Sequence, residues 1–106
     1  MLDSNSKLCY LEKMIKQLRE EQGLLQRQLA AQLDIDTPQY SKLERGERMP
    51  KKEQIGQIAA LLNSDERELR ILWVADKIIK TLQFEGDINY DVVRVVQMEL
   101  ENIKAK

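Results

Sequence analysis

The 106-residue sequence predicts an all-α fold, a small helical domain with a C-terminal helical extension. Three observations carry that expectation. Apolar residues recur at three- and four-residue intervals in successive stretches. Turn formers and capping residues separate those stretches. The one run with strand-like alternation, Val96–Met98–Leu100 against Gln97–Glu99–Glu101, has no second strand to pair with, so it reads as helix.

Leu8, Leu11, Ile15 and Leu18 stand at i, i+3, i+7 and i+10, a first helix ending near Gly23, with Cys9 as a small apolar filler on it. A second helix, 26–33, buries Leu29, Ala30 and Leu33. After the turn at Asp34, a third runs from Thr37 to Arg45: Asp36 can cap it, Pro38 fits its first turn and Gly46 stops it. The loop GERMPKK follows. Ile55, Ile58, Ala59 and Leu62 mark a fourth helix, Glu66 to about Gln83 a fifth, and Ile88 to Ile103 a sixth beyond Gly86.

Composition narrows the function. Hydrophobic residues at 42% and charged residues at 33% fit a folded soluble chain. No apolar run approaches the ~20 residues of a membrane span, and the N-terminus does not read as a secretory signal. With no histidine and one cysteine, the commonest general base, metal ligand and disulfide are missing. The four glycines are scattered, so no phosphate loop is expected. The chain reads as a cytoplasmic protein without cofactor or metal, and not as an enzyme. Net charge is −1, yet residues 37–52 carry a net +3 and residues 64–106 a net −2.

The positive charge sits beside an odd helix. On a helical wheel Tyr40, Leu43 and Glu44 of the third helix fall on one side; Pro38, Ser41, Lys42 and Arg45 fall on the other. So short a helix must be held by the one before it. Its outward side offers hydroxyl, amide and ammonium groups sized for a DNA major groove about 12 Å wide. Two helices joined by a tight turn, the second exposed and polar, are a helix-turn-helix.

The stretch IKQLREEQGLLQRQLAAQLDIDTPQYSKLERGERMP also resembles the Xre/Cro-type helix-turn-helix family of phage repressors and bacterial regulators, over roughly residues 10–63. The resemblance implies a five-helix, lambda-repressor-like DNA-binding domain, placed at 1–64, with residues 65–106 as a dimerisation extension. It implies an internal ion pair between Arg19 and Glu44. It puts Thr37, Pro38, Gln39 and Lys42 toward bases, and Gln26, Ser41, Arg45, Arg48, Lys51 and Lys52 toward phosphates. Gln39 suits adenine, Lys42 suits guanine, and the carbons of Thr37 or Pro38 suit a thymine methyl. The sequence departs from the family pattern at Asp34, where glycine is usual; at Leu25, where a Ser or Thr cap is usual; and at Pro38, which donates no hydrogen bond.

The last two helices carry more apolar surface than one contact needs. Ile71, Leu72, Trp73, Ile78, Val92, Val96 and Leu100 are the expected dimerisation residues. A two-fold dimer would present two reading helices about 34 Å apart to a palindromic operator. The expected function is a dimeric, operator-binding transcriptional regulator, most simply a repressor. An antitoxin with a toxin-binding tail and an adaptor without DNA binding are the alternatives.

Overall fold

A computed structural model describes residues 10–83 and 86–105; Leu8 and Cys9, expected on the first helix, lie outside them. In chain order the elements are α1 (Tyr10–Glu21), α2 (Gln26–Gln32), α3 (Thr37–Glu44), α4 (Lys52–Leu61), α5 (Glu66–Leu82), a 3₁₀ turn (Gly86–Ile88) and α6 (Asn89–Ala105). No strand occurs among the described residues. The ambiguous last segment is therefore helical. Its valines occur at helical spacing as well as alternating, and a lone strand would leave its backbone groups unpaired.

Two compact units divide after Asp76. The first runs past the boundary expected at residue 64, because Leu69 of α5 is fully buried in its core. That core joins Leu11 and Ile15 of α1, Leu29 and Ala30 of α2, Tyr40 and Leu43 of α3, and Ile55, Ile58 and Ala59 of α4.

The ends of the first four helices share one device. The backbone closes each with a six-to-one hydrogen bond: Leu24 N to Arg19 O, Ile35 N to Ala30 O, Glu47 N to Lys42 O and Ser64 N to Ala59 O. Such an end needs a left-handed residue, and Gly23, Asp34, Gly46 and Asn63 supply it. Asp34 thus fills the usual glycine position at φ 59°, a conformation that short polar side chains tolerate. At Gly46 a side chain is disfavoured by φ 75°, and a Cβ there would also require the Glu12 carboxylate to shift.

The start of α1 is capped from a distance. The fully buried carboxylate of Asp76, on α5, accepts from Tyr10 N and Leu11 N, each at 2.9 Å. It satisfies two of the amide donors that any helix start leaves over, and a negative charge suits that end of the helix. Asp76→Ala is expected to lower unfolding free energy by about 2–4 kcal/mol, because it strands two poorly solvated donors. Urea denaturation measures this, and Asp76→Asn, which keeps one acceptor, should fall between.

The second unit contains α6. Of its residues 89–104, only Asn89 and Val92 are partly buried; the others are exposed.

Candidate nucleic-acid interface

The turn at Asp34 brings α2 and α3 together, and side chains lock them. Asp36 caps α3 by accepting from Gln39 N at 2.8 Å, and Gln39 Oε1 accepts in return from Asp36 N at 3.2 Å. At Leu25 and Lys51, which have no cap acceptor, the helix keeps the reciprocal half alone: Gln28 Oε1 accepts from Leu25 N and Gln54 Oε1 from Lys51 N. A glutamine three residues into α2, α3 and α4 therefore fixes each entry.

Behind α3 lies a buried polar cluster. Arg19 donates through Nε to Glu44 Oε2 at 2.6 Å and through its second guanidinium nitrogen to Glu44 Oε1 at 3.1 Å. Its remaining nitrogen reaches Leu24 O at 2.9 Å. Gln26 Nε2 donates to Glu44 Oε1 at 3.1 Å, and Ser41 Oγ donates to Gln26 Oε1 at 2.5 Å. Burial opposes the Glu44 charge, but the hydrogen bonds from Arg19 and Gln26 and the nearby Tyr40 hydroxyl outweigh it and hold the carboxyl below its ordinary range. The bond to Glu44 raises Arg19 in turn. Burial and the neighbouring carboxylate push the Tyr40 phenol far up, so it stays neutral.

Two residues expected at phosphates, Gln26 and Ser41, are half-buried and also bond within the protein. Their side chains bond to one another, and Gln26 bonds to Glu44, which fastens α2 to α3 and orients the outward face.

That face is open. Thr37, Pro38 and Lys42 are exposed on α3, and Gln39 is half-buried at its start. The cap bond fixes the Gln39 carboxamide by its oxygen. Its Nε2 has no partner among the described residues, and a second lone pair remains on Oε1. Arg45, Arg48, Lys51 and Lys52 are all exposed. Gln39, Arg48 and Lys51 line one shallow cleft with Ile35, Leu43 and Gln54, which joins α3 to the basic loop. Arg45 is paired through Nε with Glu47 at the surface.

Acids that the helix dipole favours stand in the first turns of α1, α4, α5 and α6, as Glu12, Glu53, Glu66 with Glu68, and Asp91, and Asp36 caps α3. The start of α4 also carries Lys51 and Lys52, cations that the dipole disfavours there by a few tenths of a kcal/mol.

A family profile described as helix-turn-helix matches residues 15–69, more than half of the chain. The chain belongs to the Xre/Cro-like helix-turn-helix family. No curated protein and no solved structure matches it. Membership makes this Xre/Cro-like protein a DNA-binding helix-turn-helix regulator. Among the described residues no helix is long and apolar enough to cross a membrane, and no acidic or cysteine cluster could hold a metal.

The expected dimerisation residues separate into two groups. Ile71, Ile78, Val96 and Leu100 are exposed, and Val92 is half-buried. Leu72 and Trp73 pack against the first unit's core, and Trp73 Nε1 donates to Pro50 O at 2.9 Å. Trp73 thus anchors the basic loop that carries Arg48, Lys51 and Lys52. Sequence reasoning missed that role and the Asp76 cap, since both join side chains to backbone atoms remote in sequence.

Proposed function

We propose that the protein is a cytoplasmic, sequence-specific transcriptional regulator that binds a palindromic operator as a homodimer and represses by occupying it. The observation that carries this reading is the outward face of α3. Exposed Thr37, Pro38 and Lys42 are framed by Arg45, Arg48, Lys51 and Lys52, on a helix that a buried ion pair holds from behind. Base-edge contacts by Gln39 and Lys42 would select the site, while the four cations would hold phosphates. The reader is taken as residues 1–64 and the extension as 65–106, with the exposed apolar residues Ile71, Ile78, Val96 and Leu100 among those available to face a second copy.

Operators selected from a random duplex pool provide the test. Lys42→Ala should relax discrimination at one base pair by ~1–3 kcal/mol, whereas Arg45→Ala should weaken all duplexes alike. Fluorescence anisotropy on matched and mismatched sites separates the two. If both variants bind every sequence as the parent does, α3 is not the reader. The exposed apolar face of α6 also suits the antitoxin reading, in which a toxin covers it; co-purification of a stoichiometric second protein would favour that reading.

A further inference from the structure

The α6 helix carries an apolar stripe with heptad spacing. Val93, Val96, Leu100 and Ile103 follow one another at three, four and three residues. All four are exposed, at 44%, 47%, 59% and 60%. That is the spacing at which one helix packs along another. Beside the stripe, Gln97 and Lys104 lie along one edge, and Val92 and Glu99 along the other.

These edges select an orientation. In a parallel pair, each residue on the second edge meets the residue five positions later on the partner's first edge. Glu99 then faces the partner's Lys104, and two-fold symmetry makes that pair twice. Val92 faces the partner's Gln97, a contact without charge conflict. An antiparallel pair sets like edges together, Gln97 with the partner's Lys104 and Val92 with the partner's Glu99, and forms no ion pair. Exposed Ile71, Val74 and Ile78 on α5 show the same spacing without the complement. There the parallel offset sets Arg70 against the partner's Ala75 and Lys77 against the partner's Leu82.

We propose that α6 pairs in parallel with α6 of a second copy, with Val93, Val96, Leu100 and Ile103 forming the seam and Glu99 bonding the partner's Lys104. The proposal rests on the dimeric reading above and gives it an interface and a direction. A parallel pair has its two-fold axis along the seam, so the contact is closed and self-complementary. The seam is only two heptads long, so its association is expected to be reversible and concentration-dependent.

Sedimentation equilibrium of the full chain at low salt tests it. Glu99→Lys sets lysine against the partner's Lys104, and Lys104→Glu sets glutamate against the partner's Glu99. Each should weaken self-association by roughly tenfold, and E99K with K104E together should restore it to within about threefold. Both positions are exposed, so circular dichroism should show unchanged helix content. In a Cys9→Ser background, Val96→Cys should oxidise to a disulfide-linked dimer, because seam residues of a parallel pair meet their own counterparts. A parent that stays monomeric at every concentration overturns the dimeric reading and this proposal together. A dimer insensitive to both single charge reversals, or not restored by the double one, overturns the α6 pairing alone and leaves dimerisation standing.

Discussion

Glu44→Ala is expected to lower the melting temperature by well over ~10 °C. The Glu44 side chain is 2% exposed and that of Arg19 is 11%. Removing the carboxylate leaves the guanidinium with one backbone acceptor, Leu24 O, in a site that admits little water. Breaking one side of a buried pair costs about 3–5 kcal/mol, and about 1 kcal/mol is worth ~4–8 °C in a domain this small. The loss extends beyond the pair, because Gln26 and, through it, Ser41 depend on Glu44 for the link between α2 and α3. Replacing both partners with leucine and methionine should recover most of the stability, since no charge is then left buried. Thermal unfolding followed by circular dichroism decides; an unchanged midpoint for Glu44→Ala would refute the clamp.

The same carboxylate fixes how stability depends on pH. Its folded value lies below the ordinary 4.5, so the folded state binds its proton less readily than the unfolded chain does. The stabilisation is therefore complete above about pH 4.5 and declines as pH falls toward the folded value. Glu44→Gln, which cannot ionise, should be less stable than the parent at neutral pH and lose less on acidification to about pH 3. Urea midpoints across that range measure the difference in slope.

Much of this was legible in the residues, for a physical reason. Helix period, caps and stops are local, so Asp36, Pro38 and Gly46 were enough to bound α3. The burial of Glu44 followed from its place on the narrow inward side beside Tyr40 and Leu43. Three-dimensional choices were not legible. Ile71, Leu72 and Trp73 are consecutive and equally apolar, and only the packing of α5 turns the last two onto the core. Ser41 looks outward and polar on a wheel, and its bond to Gln26 on the neighbouring helix has no local signal. Asp76 gives no local signal, because its partners are main-chain amides 65 and 66 residues away.

Truncating Arg45, Arg48, Lys51 and Lys52 together to alanine should reduce affinity for any duplex by more than about a hundredfold at low salt. Each lost phosphate contact removes about 0.9 from the slope of log affinity against log salt, so four per protomer would flatten a dimer's slope by up to ~7. Stability should barely change, which separates this effect from that of Glu44→Ala. The Arg45 and Glu47 side chains are 58% and 49% exposed. Surface pairs of that kind contribute only ~0–1 kcal/mol. Lys51 and Lys52 oppose the dipole at the start of α4, where Glu53 favours it, and Arg45 stands at the end of α3, where a cation is favourable, so the effects of the four truncations on stability should largely offset. Anisotropy titrations across salt, run beside thermal melts, settle the matter: an unaltered salt slope in the fourfold variant would show that the phosphates are held elsewhere.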